Sequence, residues 1–301
     1  MKSNLFSYLL ISIAGFFWAT LGIFTNALTS TGLTSPQISF LRLLLGAIFL
    51  TVYCLIKDPK ALKITKKGLL VCILLGLFCQ AFFNICYVNA ISNIGVSVSA
   101  VLLYTSPIFM AILSKVIYRE KISGYKIFSL ALCFVGAFLA ATGGVLTTET
   151  LNITGILLGL CAAVSYSSMP FISKSAMSEN KNVTIVLYSF FFGALFLLPL
   201  AKPTELLQHI ANWNVVLNIL GLGLFPACLA FLFFYSGISR KIEFSIVGIL
   251  SSTELIFAQI FGWTLFHEAF SFLRLVGILI MFASAFVVLY EVKLKERNTM
   301  T

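Results

Sequence analysis

The sequence predicts an all-α integral membrane protein whose ten transmembrane helices form a 5+5 inverted repeat. Hydrophobic residues make up 60% of the 301 residues, charged residues only 10%, and the mean hydropathy is +1.04. A soluble domain, by comparison, is about 25% charged. The apolar residues fall into ten runs long enough to cross a bilayer, and the second half of the chain repeats the pattern of the first.

The ten spans are runs of mostly apolar residues separated by short polar connections, which force neighbouring helices to lie antiparallel. The first run is too long for the apolar part of a signal peptide, so we interpret it as a helix. The predicted spans are residues 5–28, 35–56, 68–90, 95–118, 123–146, 152–174, 183–201, 214–237, 242–266 and 271–290.

The basic residues indicate which ends of the spans face the cytoplasm. With a cytoplasmic N-terminus, 17 of the 20 lysines and arginines lie at cytoplasmic ends, whereas only Lys202 and Arg274 lie at outer ends. This distribution follows the positive-inside rule, so we expect a multi-pass protein of the cytoplasmic membrane with both termini in the cytoplasm. The lysines between 57 and 67 also suit anionic lipid. The net charge of +10 forms no face suited to nucleic acid.

A shift of 148 residues aligns the two halves and predicts repeats over residues 1–148 and 149–301. Residues 87–120 then fall without a gap on 235–268, which places Glu120 on Glu268. Because each half has five spans, an odd number, the second half must cross the membrane in the opposite orientation. Inverted repeats of this kind are typical of transporters with two conformations, one open to each side.

Four segments resemble a known family in their order and spacing. They are "GFFWATLGIF" (15–24), "FLRLLLGAI" (40–48), "SPIFMAILSKVIYREKIS" (106–123) and "TELIFAQIFGWTLFHEAFS" (253–271). Across essentially the whole chain, the sequence resembles the EamA-type transporters of the drug/metabolite transporter (DMT) superfamily.

That resemblance implies a substrate cavity lined by the fourth and ninth helices. It also implies transport, mostly export, of amino acids, related metabolites or drugs. Members of the family often carry proline after the carboxylate of the ninth helix. Pro107 occupies that place in the first half, but Leu255 occupies it in the second. We therefore expect a straighter ninth helix than in relatives.

Glu254 lies near the middle of the ninth span and is the leading candidate for substrate contact or coupling. An acidic residue at this depth costs about 2.5–3.5 kcal/mol on insertion scales, so it persists where it faces a wet cavity, pairs with a cation or exchanges a proton. The alternative is a protonated carboxyl that forms a hydrogen bond between helices. Arg42 is the other charge inside a span. It either snorkels outward or faces the cavity, where it would attract a carboxylate of the substrate or of Glu254.

Other polar and aromatic side chains within spans are candidates for the cavity lining. Gln80, Asn84 and Tyr87 recur at i, i+4 and i+7, so they share one face of the third span and either line the cavity or join neighbouring helices. Trp18 and Tyr166 occupy equivalent positions in the two halves. Aromatic faces suit apolar, aromatic or cationic substrates, with core packing as the alternative.

The fourth span is predicted to bend beside its proline. Tyr104 and Ser106 precede Pro107, which removes an intrahelical hydrogen bond whose carbonyl a nearby hydroxyl can satisfy. We predict a gating kink at Pro107, with Tyr104 and Ser106 facing the cavity. Glu120 and Glu268 end the fourth and ninth spans, and we expect them to cap or pair at helix ends without binding substrate.

Together these features predict a secondary transporter for a small-molecule substrate, with proton coupling left open. No Walker A pattern points to ATP, and no cofactor is predicted. The seven cysteines lie inside apolar runs without a CxxC pair, which argues against a metal site. His209 and His267 are far apart in sequence, so we expect no enzyme. A receptor or scaffold would usually bring a soluble domain. We expect a monomer.

Overall fold

The computed structural model describes residues 4–145, 152–206, 212–240 and 242–298, with side chains described as far as residue 294. This part of the chain is helical and contains no β-strand, and its ten membrane helices follow the predicted spans. They are α1 (Asn4–Thr29), α2 (Ser35–Lys57), α3 (66–94), α4 (96–118), α5 (Gly124–Thr142), α6 (Ile153–Lys174), α7 (Asn182–Ala201), α8 (Trp213–Ile238), α9 (Phe244–Leu265) and α10 (Phe272–Asn298).

Short polar signals fix several helix ends. The Ser123 hydroxyl accepts the Lys126 N–H at 3.3 Å to begin α5, and the Asn152 side chain accepts the Thr154 N–H at 2.8 Å to begin α6. Gly143 ends α5 in the left-handed conformation at φ 63°. These residues satisfy backbone groups that a helix terminus leaves without a partner.

A single residue separates α3 from α4. The helical segment Lys66–Leu103 is interrupted at Gly95, whose φ of 77° and ψ of 165° lie in a region that only glycine occupies readily. No loop is therefore needed between the two helices. The equivalent connection in the second half, between α8 and α9, is longer and includes Ser239 and Glu243.

Helices α4 and α9 are both broken at the same place in the repeat. In α4 the break falls at Tyr104 and Thr105, and in α9 it falls at Ser252. The ninth helix is thus interrupted although it lacks a proline there. That it is straighter than in relatives stays a prediction. The hydroxyls of Ser251 and Ser252 bond to the carbonyls four residues earlier, at 2.9 and 3.1 Å. Such bonds compete with the helical ladder and bend helices.

Two further features recur with the 148-residue shift. Helix α3 contains a π-helical segment at Leu75–Phe82, and α8 contains one at Gly223–Leu229. Arg119 and His267, just beyond α4 and α9, have positive φ angles of 53° and 52°. These local distortions recur at equivalent positions of the two halves. The division at residues 148 and 149 lies outside the described residues and stays a prediction.

The helix ends form two faces of the molecule. The lysine-rich face carries the connections 58–65, 119–123 and 175–181, together with the end of α8 and the start of α9. The opposite face carries the connection 30–34 and the other described helix ends. On the lysine-rich face, ion pairs join the two halves: Asp58 with Lys181, and Lys67 with Glu179 at 3.6 Å. On the opposite face, the described ion pairs lie within the second half, as in Lys202 with Glu205 at 3.2 Å.

Five residues used to predict the orientation or to discount an enzyme are not fully described. Lys2, His209 and Lys241 lie outside the described residues, as do the side chains of Lys295 and Arg297. The cytoplasmic location of both termini stays a prediction.

Helices α5 and α10 pack closely against each other at small residues. A Cβ atom added to Gly136 would lie 2.8 Å from the Gly277 carbonyl oxygen, and one added to Gly277 would lie 2.4 Å from the Ala140 nitrogen. Small residues allow such close approach between membrane helices. Neither helix contributes a residue to the lining of the central cavity.

Candidate functional site

A central cavity of about 300 Å³ is enclosed by residues of α1, α2, α3, α4, α6, α8 and α9. Nine of the ten residues selected from the sequence line it: Trp18, Arg42, Gln80, Asn84, Tyr87, Tyr104, Ser106, Tyr166 and Glu254. The fourth and ninth helices contribute to the lining, as the family resemblance implies, but α2 and α3 each contribute more of it. The roles of these residues stay predictions.

Glu254 lies at the start of the second segment of α9, Thr253–Leu265, directly after the break at Ser252. Within the described part of the chain, its carboxylate accepts no hydrogen bond and forms no ion pair within 4.0 Å. The N-terminus of a helix carries a partial positive charge that favours an anion. The broken helix therefore presents a half-buried carboxylate to the cavity, with its remaining hydrogen-bonding capacity available to a bound molecule.

Arg42 supplies the opposite charge. It belongs to a stripe of α2 that also includes Ser35, Ile38 and Ser39, spaced so that all four face the cavity. Arg42 is 8% exposed. Arg42 and Glu254 are close enough to attract each other, although the described ion pairs within 4.0 Å do not include them. A buried cavity with one positive and one negative group suits a solute that carries both charges.

The third helix presents its predicted polar face. The Ser39 hydroxyl of α2 donates to Asn84 Oδ1 at 2.7 Å, and Asn84 Nδ2 donates to the Gln80 carbonyl at 2.7 Å. Both alternatives considered for this face therefore occur together, because Asn84 joins two helices and also lines the cavity.

Aromatic side chains form the deep wall of the cavity. The rings of Trp18 and Tyr166, at equivalent positions of the two halves, contact edge to face with centroids 6.3 Å apart. Trp18 also meets Phe231 at 5.4 Å, and Phe83 lies between Tyr87 and Tyr166 at 5.8 and 6.0 Å. These rings provide apolar area and π faces for a solute.

Pro107 is the selected residue that does not line the cavity. It is buried next to Ser106 but points to α9, where a Cβ atom added to Gly248 would lie 2.8 Å from the Pro107 Cα. The proline begins the second segment of α4, Ser106–Tyr118. The predicted break is present, and the gating role of Pro107 stays a prediction.

Five hydroxyl-bearing residues that the sequence analysis did not select also line the cavity: Thr25, Ser35, Ser39, Ser251 and Ser252. The run Ser-Ser-Thr at 251–253, directly before Glu254 in an apolar span, is a signal that could have identified two of them. The described residues include no group of three or more His, Cys, Asp or Glu that could hold a metal ion.

The cavity opens toward the opposite face and is closed at the lysine-rich face. Its lining includes Thr25 and Ser35, which lie near the opposite-face ends of α1 and α2. At the lysine-rich end, Phe244 packs against Phe171 at 4.9 Å and against Tyr118 at 5.3 Å, so the ends of α4, α6 and α9 meet there.

In the part of the chain that the structure describes, membrane helices enclose a central cavity that carries a few polar groups and extends toward one face, which is the architecture of a solute transporter. The family model described as the EamA-like transporter family matches residues 5–142 and again 153–290. The chain therefore belongs to the EamA-like transporter family, which confirms the resemblance found in its motifs.

Relatives with curated names agree with this assignment. An uncharacterized transporter of Archaeoglobus fulgidus is 26% identical over 268 residues, covering 89% of this chain and 90% of its own. The uncharacterized transporters YetK and YwfM of Bacillus subtilis are 27% and 25% identical, covering 85% and 96% of this chain and 78% and 95% of their own. A crystal structure of a protein with 17% identity shares the fold, with a TM-score of 0.77 over 98% of this chain and 100% of that one.

Proposed function

We propose that this transporter is a secondary transporter of small organic solutes that works by alternating access. The observation that carries the proposal is the Glu254 carboxylate, which faces the central cavity without a hydrogen-bond partner among the described residues. A carboxylate in a membrane protein is costly unless water, a cation or a proton reaches it. A solute with a cationic group can supply the missing partner.

The substrate class that best fits is a zwitterion of amino-acid size. Its ammonium group would approach Glu254 and its carboxylate would approach Arg42, which binds carboxylates in a bidentate manner. The aromatic wall of Trp18 and Tyr166 would contact the remainder of the solute. A cavity of about 300 Å³ is at the lower end of the range for small-molecule sites, which favours amino acids and related metabolites over large drugs.

We propose the cytoplasmic membrane as the location, with both termini in the cytoplasm and export as the main direction. The distribution of lysine and arginine supports this orientation. With it, the cavity of the described state faces outward. A proton coupled to transport would bind Glu254, the carboxylate among the described lining residues.

Transport by purified protein in liposomes tests the proposal. A panel of labelled zwitterionic, cationic and anionic amino acids is offered with and without a pH gradient. We expect saturable uptake of a zwitterionic member, lost in Glu254→Ala and strongly reduced in Arg42→Gln. A toxicity screen with the same compounds, in cells with and without the gene, then separates export from import. Uptake of anionic members alone would contradict the assigned substrate class.

A further inference from the structure

The two membrane faces carry equivalent carboxylates in different surroundings. The Glu120 cluster consists of Glu120, Lys126 and Glu243 on the lysine-rich face. The Glu268 cluster consists of Glu268 and Arg274 on the opposite face, and Glu268 and Arg274 correspond to Glu120 and Lys126 under the 148-residue shift.

Glu120 caps a helix of the other half. Its carboxylate accepts the N–H of Phe244 at 2.9 Å, the N–H of Ser245 at 3.4 Å and the hydroxyl of Ser245 at 3.0 Å. Phe244 and Ser245 are the first residues of α9. The first turn of a helix leaves its N–H groups without intrahelical partners, and a carboxylate bound there also interacts favourably with the helix dipole. Glu120 therefore fastens the end of α4 to the start of α9.

Lys126 strengthens the same contact. Its ammonium group lies 2.7 Å from Glu243 and 4.0 Å from Glu120, and its side chain is 1% exposed. It also donates to the Lys121 carbonyl at 3.0 Å. A buried ammonium is tolerated only when it is paired and hydrogen-bonded. Lys126 thus depends on the closed arrangement of the two halves at this face.

The equivalent contact on the opposite face is not made. By the shift, Glu268 should cap Val96 and Ser97, the first residues of α4. Instead it pairs with Arg274 at 3.1 Å in its own half, and its side chain is 47% exposed. Val96 is 64% exposed, whereas its counterpart Phe244 is 3% exposed. The start of α4 is therefore separated from the end of α9.

We propose that these clusters are two exchangeable contacts that position α4 and α9 in the two states of the transport cycle. In the described state, the Glu120 cluster keeps the lysine-rich face closed. In the other state, Glu120 releases α9, and Glu268 caps Val96 and Ser97 to close the opposite face. The proposal rests on the alternating access of the proposed function, but it does not depend on the substrate.

Thiol cross-linking in membranes, without substrate, tests this proposal. The exposed Cys161 is replaced by alanine, since the other six cysteines are buried. The pair Tyr118→Cys and Phe244→Cys reports closure of the lysine-rich face, because the native rings are 5.3 Å apart. Under the shift, the pair Val96→Cys and Phe266→Cys reports closure of the opposite face. A short bifunctional maleimide is used with each pair.

We expect Glu120→Gln to lower the yield of the first pair and raise that of the second. Glu268→Gln should change both in the opposite direction. In each variant, the ratio of the cross-linking yield of the first pair to that of the second pair should change about tenfold. A change of this size is expected when hydrogen bonds to a charged group are weakened. The control is Glu205→Gln, which weakens an exposed ion pair within the second half and should leave the ratio unchanged.

A second pair of variants tests the proposal where the glutamate variants fold poorly. Ser245→Ala and Ser97→Ala each remove one hydroxyl and leave no buried charge without a partner, and they should shift the ratio in the directions of Glu120→Gln and Glu268→Gln respectively.

The proposal would be overturned if a variant changed the cross-linking yields at both faces in the same direction, or if the second pair formed no cross-link in any variant. Either result would count even where transport is measured. Reciprocal shifts without uptake of any tested solute would instead uphold this mechanism and overturn the assigned substrate class.

Discussion

Gly15 is expected to control the position of Glu254. Helix α1 passes α9 so closely here that a Cβ atom on Gly15 would lie 2.5 Å from Thr253 Oγ1 and 3.1 Å from the Glu254 nitrogen. Ordinary contacts of a Cβ atom are 3.4–4 Å. The Gly15→Ala side chain therefore overlaps Thr253 by about 1 Å, and Thr253 is held by its hydrogen bond to the Leu250 carbonyl at 2.7 Å.

The overlap must be relieved by moving α1 or the start of the second α9 segment. Overpacking of this kind typically costs about 1–3 kcal/mol. If the whole cost fell on the substrate-bound state, it would weaken binding about 5- to 150-fold, taking about 1.4 kcal/mol per factor of ten. We expect Gly15→Ala to lower the unfolding temperature in detergent and to weaken solute binding and transport together.

Gly22 is the matched control, because it lies on the same helix with no atom within 4 Å of an added Cβ. Gly22→Ala should be neutral or stabilise slightly, since alanine in a helix is favoured over glycine by about 0.5–1 kcal/mol. The double variant Gly15→Ala with Thr253→Ala removes the nearest overlap and should recover part of the lost stability. Equal stability and transport in Gly15→Ala and Gly22→Ala would refute the argument.

Three other outcomes are expected. Glu254→Gln should keep solute binding but lose any dependence of transport on a proton gradient. Glu254→Ala should also weaken solute binding about tenfold, because the hydrogen bond to a charged group is lost. If Glu254→Gln kept full and still pH-dependent transport, the remaining role of Glu254 would be a hydrogen bond between helices. Reporter fusions at Thr301 and within residues 203–212 should report opposite sides of the membrane, and the same side for both would contradict the helix count. Gly95→Ala should lower the unfolding temperature, because an alanine at that φ and ψ costs about 1–3 kcal/mol although no atom lies within 4 Å, and Gly124→Ala is the unstrained control.

The lining of the cavity could be predicted because lipid offers no partner to a polar side chain. Arg42, Gln80, Asn84 and Glu254 stand out in apolar spans, and each must turn inward to find water, protein or solute. Pro107 was selected for a gating kink and not as a lining residue. The structure places it against Gly248 of α9, outside the cavity lining.

The break in α9 could not be predicted from a proline rule. Leu255 permits a straight helix, and the interruption arises from the hydroxyls of Ser251 and Ser252 bonding to their own backbone. Whether such a hydroxyl bends a helix depends on what packs against it. Here Gly15 of α1 gives α9 room at that turn, a contact between residues more than 200 positions apart in sequence.

The cavity opens on one side of the molecule, and one difference between the two repeats helps to explain which side this is. The sequence places Glu120 and Glu268 in equivalent positions, so the repeat alone treats the two faces as equal. The equivalent of Glu243, however, is Gly95. Lys126 consequently has two carboxylates within 4.0 Å, whereas Arg274 has one ion-pair partner among the described residues. The additional carboxylate of Glu243 stabilises the buried Lys126 cation, whereas Gly95 carries no side chain that could act in this way at the equivalent position. The glycine that replaces it also lets α3 join α4 without a loop. In the proposed transport cycle, these two consequences of one position favour the state in which the lysine-rich face is closed and the cavity opens to the opposite side.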